Sequence, residues 1–552
     1  MSAPAPSTEV PERPPARRRP RWRLQPQTRQ RLDTFGPPIL ALLLTFTVLL
    51  AGIRTPIVED SLFWWIPQAL IMAERGLAMS TGGPLPELMA ASIPPEAMPS
   101  QWADGVPDYA HPPLWTWWLA LWLRWFGAST VVIHLACAAP AAAIALGLVA
   151  VARRLGDPWL GPAALALPPL SAQLLRPELD LPLLAVTLWA LVALLDGKWR
   201  LFVPLALLAP WVKEPGVLLV VPALIRARYD GWRRAPLALI PLISLGLWGI
   251  VHGGLAQAEK LPAGLVAWLT DDLPSALWLN GVHHGRFLLL LGLPLLWQRR
   301  HRVGVQVVGG FALCWIVFFS IVGFKLQPNN PEPITHVRYF VPGMVAALLL
   351  LGQRSRLLPL AGLAFMQARS PYGPEANHFG LDAARAEAAA VPWIRAEIAS
   401  GRRIWVGQYQ GASLSQPWAG QIDTPIQGIA FYGQNTDPMQ LSNGDGIVEA
   451  AYGEPMGLID RVWNLTIDRR WTLGHAVVSA SVIGERTGFV PEMPGAPLGG
   501  VPGPAAPPEG GGAPEGGVPP PPEEPPPAPP PEADAQPPEG VAPPPELSAP
   551  QP

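Results

Sequence analysis

Apolar residues in this chain run in long blocks rather than at helical or strand spacing. From Pro37 to Ile53 nothing carries charge, and further apolar blocks follow at 129–151, 159–176, 181–196, 200–212, 215–226, 235–251, 286–298, 304–323, 339–352 and 356–367. Continuous apolarity without a polar face belongs to helices surrounded by lipid or by one another. The pattern predicts a polytopic α-helical membrane protein of about 11 spans, several shorter than the roughly 20 residues an upright crossing needs.

Charge between the blocks predicts sidedness. Residues 1–36 carry an arginine run (Arg17, Arg18, Arg19, Arg21, Arg23, Arg29, Arg31), and Arg153-Arg154, Lys198/Arg200, Arg226–Arg234, Arg299–Arg302 and Arg354–Arg356 fall between later blocks. Loops rich in Lys and Arg stay in the cytoplasm. The arginine run therefore reads as a topology signal, not as a nucleic-acid surface. The opposite, outer side receives 54–128, the stretch around Glu178-Leu179-Asp180, Trp211–Glu214, 252–285 and Lys325–Arg338. The first block starts late and lacks a small-residue cleavage site, so it reads as a retained anchor. Cys137 and Cys314 both lie inside apolar blocks, where packing is their expected role and neither a disulfide nor a metal site is suggested.

Leu114–Phe126 is apolar but holds Trp115, Trp117, Trp118, Trp122 and Trp125, with Arg124 among them. Indole rings favour the headgroup layer, where the ring is dry and the N–H wet. Counted as a crossing, this segment would also put Arg153-Arg154 on the wrong side. It is expected to be an interfacial helix on the outer surface.

Composition then divides the chain. It is 49% hydrophobic and only 14% charged, yet its last sixty or so residues are nearly all Pro, Gly, Ala and Glu. Residues 368–490 have ordinary globular hydropathy and predict a small α/β or α+β outer domain, with a helix at Ala383–Ser400 and strands at Arg403–Tyr409 and Ala476–Ile483. Residues 491–552 are expected to be a disordered tail, having little apolar surface to bury. The sequon Asn464-Leu465-Thr466 and the loop residues Asp271-Asp272, Lys260 and His283-His284 match no pattern that calls for more than a solvated face.

Ionisable residues at the membrane edge are the candidate chemistry. Glu59-Asp60 directly follows the first span, and a carboxylate there is costly unless a water-filled cavity or a partner receives it. The alternative is a solvated helix cap. Tyr109-Ala110-His111-Pro112-Pro113-Leu114 leads into the Trp-rich helix, and its prolines fix the approach whatever His111 does. Arg176-Pro177-Glu178-Leu179-Asp180-Leu181-Pro182 puts Asp180 at the outer end of a span, either as a functional acid or as a helix cap. The chain has four lysines, and three of them (Lys213, Lys260, Lys325) fall on the outer side. With Arg338 they make an outward-facing set of cations suited to a phosphate headgroup. Lys213 could equally pair with Glu214 or Asp180.

Taken in order, Val58–Trp65, the His-Pro-Pro-Leu element, the Asp180 segment and Trp211-Val212-Lys213-Glu214-Pro215-Gly216 resemble the membrane glycosyltransferases of the GT-C class. That class includes protein O-mannosyltransferases and the lipid A aminoarabinose transferases. The resemblance spans about residues 37–350 and departs at His111, where the class often has Lys. It implies a polyprenyl-phosphate sugar as donor and a periplasmic lipid, glycan or protein as acceptor, with inverting transfer at the periplasmic face of the inner membrane. On this reading Asp60 is the main catalytic residue, with Glu59 and Asp180 beside it. His111, Lys213, Lys325 and Arg338 bind the donor phosphate. No metal ligand is assigned, and dependence on a divalent cation stays open. A phosphate leaving group needs little acid help, so one carboxylate acting as base suffices. Two other readings compete, namely a secondary transporter or lipid flippase and a non-catalytic envelope scaffold. Transporters usually carry repeated halves with broken helices at the midplane. No repeat is visible in this chain.

Overall fold

The computed structural model describes residues 26–57, 61–76, 83–84, 111–174, 176–252, 300–321, 337–353, 379–407, 413–420, 422–426, 428–432, 441–452, 462–473 and 476–487. Glu59, Asp60, Lys325, the expected spans at 286–298 and 356–367, and the expected tail lie outside them. Contacts divide the chain into Met1–Glu492 and Met493–Pro552, and everything below concerns the first unit.

Helices make up most of the described residues of this unit. In chain order they are α1 (Pro26–Gly52), α2 (Ile66–Arg75), α3 (Leu114–Phe126), α4 (Thr130–Ala136), α5 (Ala138–Leu155), α6 (Leu160–Ala164), α7 (Pro168–Gln173), α8 (Asp180–Leu195), α9 (Trp199–Val212), α10 (Val220–Asp230), α11 (Ala235–Ala238), α12 (Ile240–His252), α13 (Val303–Ile321), α14 (Val337–Gly352) and α15 (Phe379–Ala399). Among the described residues three stretches are long and apolar enough to cross a membrane: Gln30–Gly52, Thr130–Leu155 and Trp232–Val251. Four shorter apolar helices, Asp180–Leu195, Trp199–Val212, Val303–Phe319 and Tyr339–Gly352, accompany them. Lipid-facing surface is visible as exposed apolar side chains on α1 (Phe35, Ile39, Leu43, Leu50) and α12 (Ile243, Leu247, Ile250). In water such surface would be a liability; in hydrocarbon it costs nothing.

Several expected spans are interrupted where proline removes a backbone donor. The block 159–176 is two short helices because Pro168-Pro169 follows Leu167 and turns it away from helical backbone. Thr130–Leu155 breaks at Cys137, since Pro140 has no N–H for the Ala136 carbonyl. In α1, Pro38 likewise leaves the Thr34 carbonyl without its helical donor, and the Arg153 guanidinium donates to it at 2.7 Å. Trp159 Nε1 donates to Asp33 at 2.8 Å on the same corner.

Helices α8 and α9 form an antiparallel hairpin around Asp196–Lys198. At the hairpin's turn, Arg154 donates to Asp196 through Nη2 at 2.7 Å, and Lys198 lies 3.2 Å from the same carboxylate. Arg226 and Trp199 both reach Asp230 at 2.8 Å. This end of the bundle therefore gathers Arg153, Arg154, Lys198 and Arg226, residues that the charge pattern assigns to one side. Asp180 and Lys213 occupy the hairpin's open end.

The C-terminal part is a five-stranded mixed sheet, β1 (Ile404–Gly407), β2 (Ile429–Tyr432), β3 (Gly446–Tyr452), β4 (Trp463–Leu473) and β5 (Ala476–Arg486), in the order β2-β1-β3-β5-β4. β1 runs parallel to β2 and β3, while β5 is antiparallel to β3 and β4. Alternation along β1 and β3 sends Ile404, Val406 and Val448 to the face covered by α15, where they meet Ala390, Trp393 and Ile394. Trp405 and Ile447 point to the other face, against Leu441, Trp463 and Ile483. The expected strands at Arg403–Tyr409 and Ala476–Ile483 are present as β1 and β5, and the expected helix as α15 with Pro392 inside it. The sheet meets the helices through a short loop. Ile57 N–H donates to Ala419 at 2.7 Å, Thr130 Oγ1 donates to Trp418 at 3.0 Å, and both Trp418 and Ala419 are buried in the main apolar core.

Candidate active site

At the open end of the α8–α9 hairpin, four chain segments bring charged groups together. Asp180 is the first residue of α8, where the unsatisfied N–H groups and the helix dipole favour a carboxylate. Lys213 ends α9 in extended backbone (φ −162°, ψ 142°), and a 3₁₀ turn follows at Glu214–Leu219. Lys213 Nζ donates to Asp180 Oδ1 at 2.7 Å, and both side chains are buried. The ammonium also lies 4.3 Å from the centroid of the Tyr339 ring, on the first turn of α14. Phe319 stacks on that ring at 5.6 Å, and Trp315 Nε1 donates to the Tyr339 carbonyl at 2.6 Å.

A second ion pair stands beside the first. His111 Nδ1 lies 2.8 Å from Glu214 Oε2 and 2.9 Å from Oε1, and the imidazole packs against Trp65 with centroids 5.6 Å apart. An ionised carboxylate only accepts, so Nδ1 carries the proton in this contact. Burial raises the pKa of Glu214, but His111, the turn's own backbone N–H and Lys213 outweigh it, and the carboxyl stays below its ordinary range. A third pair is buried in the loop before α8, with Arg176 Nη1 3.9 Å from Glu178 Oε1. Trp115 of α3 reaches into that loop, its Nε1 donating to the Pro177 carbonyl at 2.9 Å. One indole thus ties the His111 segment to the Asp180 segment.

The geometry of the 3₁₀ turn explains the Lys-Glu-Pro-Gly string. Pro215 pre-sets the first turn, and Gly216 packs so closely on the end of α9 that a Cβ there would overlap the Ala209 carbonyl carbon. Lys213 and Glu214 are therefore held rigidly and turned toward different partners, one to α8 and one to the approach to α3.

Of the residues singled out from the sequence, His111, Asp180 and Lys213 come together here, and Arg338 immediately precedes Tyr339 on α14. The side chain of Arg338, like Lys325, Glu59 and Asp60, falls outside the described residues. Asp60 directly precedes the turn Ser61–Trp65, whose last ring meets His111. Lys213 takes the ion-pair alternative with Asp180. Glu214 and Tyr339 complete the cluster. Glu214 could be anticipated from its place beside Lys213, whereas Tyr339 carried no signal beyond its adjacency to Arg338. Among the described residues, no group of three or more His, Cys, Asp or Glu is placed to hold a metal ion.

Apolar helices of crossing length, shorter helices packed among them and charged pairs gathered at one end define a polytopic helical membrane protein with a C-terminal sheet. Among solved structures the chain is similar to ArnT from Cupriavidus metallidurans bound to undecaprenyl phosphate, at 16% identity and TM-score 0.46, over 80% of this chain and 97% of that one. The apo state of the same protein matches at 16% identity and TM-score 0.42, over 81% and 98%. No family model matches the chain, and no curated protein does. At that identity and score no residue role passes from one chain to the other.

Proposed function

We propose that this chain is an inner-membrane glycosyltransferase of the GT-C class, moving a sugar from a polyprenyl-phosphate donor to a lipid, glycan or protein acceptor at the periplasmic face. The observation that carries the reading is the paired cluster His111–Glu214 and Lys213–Asp180 at one end of the helices, next to the turn that follows Glu59-Asp60. Two features favour transfer chemistry over transport. The charged pairs cluster at one end of the bundle, and the basic loops occupy the other. The cluster also combines cations able to meet a phosphate with carboxylates able to orient or deprotonate an acceptor.

In this reading the donor phosphate engages Lys213 and His111 together with Lys325 and Arg338. Asp60 faces the acceptor and serves as base for a hydroxyl. Where the acceptor is itself a phosphate no base is needed, and Asp60 orients the sugar instead. Asp180 and Glu59 are the supporting acids. Asp180 neutralises Lys213 until a phosphate arrives.

The test is transfer by purified protein in lipid nanodiscs, supplied with undecaprenyl-phosphate-linked sugars and envelope lipid or peptide acceptors. Transfer is expected for the native chain and abolished by Asp60→Asn, which removes charge and basicity while keeping shape. Full activity in Asp60→Asn overturns the catalytic assignment. Mass analysis of envelope glycans after deletion identifies the acceptor.

A further inference from the structure

His111 and Glu214 are 103 residues apart in sequence, yet the carboxylate sits with both oxygens within 2.9 Å of one ring nitrogen. That bidentate contact on a single N–H fixes more than a charge. It fixes which nitrogen of His111 holds the inner proton and how the ring is turned, while Trp65 packs against the ring. In an imidazole the two nitrogens point in divergent directions, so a ring anchored through Nδ1 presents Nε2 away from its anchor.

We propose that Glu214 is a positioning residue, holding His111 by Nδ1–H so that Nε2 is the atom offered to a phosphate oxygen of the donor. The inference rests on the transferase reading for the identity of the ligand, but the Glu214–His111 relation does not depend on it. Three observations support it. The Gly216 contact with Ala209 holds the turn bearing Glu214 in place. Pro112 and Pro113, both buried, stiffen the chain just after His111. Lys213, the neighbour of Glu214, is paired with Asp180, so the Glu214 carboxylate is directed to His111 rather than to the nearest cation in sequence. A protonated Nε2 then donates to an anionic oxygen, and Glu214 balances the imidazolium's charge. Among the described residues, Lys213 flanks Glu214 on the same turn and is itself paired with Asp180 at the start of α8.

The test uses the full-length protein in nanodiscs, with ¹⁵N-labelled histidine and the His111 signals assigned against His111→Gln. With the His111 ring neutral in alkaline buffer the native protein is expected to show the Nδ1–H tautomer, and undecaprenyl phosphate is expected to shift the Nε2 resonance at neutral pH. Glu214→Ala is expected to lose the tautomer preference. It should also raise the donor KM about ten-fold, the scale of one charge-assisted hydrogen bond, while kcat changes far less. Glu214→Asp should restore part of the loss. Glu214→Gln, nearly isosteric, reports on folding through its thermal unfolding. A native Nε2–H tautomer, or an unchanged donor KM in Glu214→Ala, overturns the proposal. If no sugar is transferred from any donor but undecaprenyl phosphate still shifts Nε2, the transferase reading falls and the positioning role stands. If the lipid leaves Nε2 unmoved, the positioning role falls.

Discussion

Asp180 and Lys213 show how much a single buried contact constrains. Breaking a buried pair by removing one partner strands the other charge, at a cost of about 3–5 kcal/mol, whereas replacing both with apolar residues is often close to neutral. Asp180→Asn or Lys213→Met is therefore expected to lower thermal stability in detergent markedly. The double variant Asp180→Leu with Lys213→Met should recover most of it while remaining inactive in transfer. A double variant as unstable as either single one would refute a mainly electrostatic origin. At the other end of the bundle, the hydrogen bond from Arg154 holds the Asp196 carboxyl below the ordinary carboxylate range, and Lys198 adds to the effect. A depressed carboxyl stabilises the fold above its unfolded pKa and loses that contribution as pH falls through the folded one. Native protein should thus lose more stability than Asp196→Asn as pH drops below about 4, and thermal melts across that range measure the difference.

At the scale of elements, the sequence was most legible where local chemistry was strong. Leu114–Phe126 could be read to the residue because two prolines open it, Gly127 closes it and tryptophans fill it. Long apolar blocks likewise yielded α1, α8, α9, α13 and α14 to within a few residues at most boundaries. Three strands were not legible. β2 is short and pairs in parallel with β1, and β3 sits between β1 and β5; these are non-local contacts that no local pattern reports. β4 is an edge strand, mostly exposed along its length, so it shows little hydrophobic alternation. The candidate site divides in the same way. Asp180 and Lys213 were visible as charges at span ends, but the His111–Glu214 pair depends on two distant turns meeting. The Lys-Glu-Pro-Gly turn gives the prediction for this scale. Gly216→Ala would force its Cβ against the α9 backbone, so the turn must shift and carry Lys213 and Glu214 with it. Transfer is expected to fall at least ten-fold, a modest cost for misplaced polar groups. Activity within two-fold of native would show that the turn tolerates the shift.

Across the whole molecule, the sheet and the candidate site share one end of the helices. Ile57, which bonds to Ala419, lies three residues before Asp60, and Trp418 takes the hydroxyl of Thr130 at the start of α4. The proposed topology makes this the outer end, and sidedness can be checked directly. With Cys137 and Cys314 replaced, a membrane-impermeant thiol reagent added from outside is expected to label Asn443→Cys, on an exposed turn before β3, and to spare Trp232→Cys, in the basic stretch before α11. The reverse pattern would invert the topology and remove the site from the periplasm.

The Lys213–Asp180 contact also decides which ligands can compete for the lysine. Its partners close the mouth of one helical hairpin, 33 residues apart in sequence, so Asp180 meets Lys213 at the high effective concentration of a tethered group. A freely diffusing anion must outbid that tethered carboxylate from dilute solution, and inorganic phosphate is poorly placed to do so. A phosphate carried on a membrane-embedded chain faces no such handicap, because confinement to the bilayer holds it near the same mouth. On the proposed transferase reading, with Lys213 receiving the donor phosphate, the clasp would filter how that phosphate arrives, favouring one anchored in the lipid over one dissolved in water.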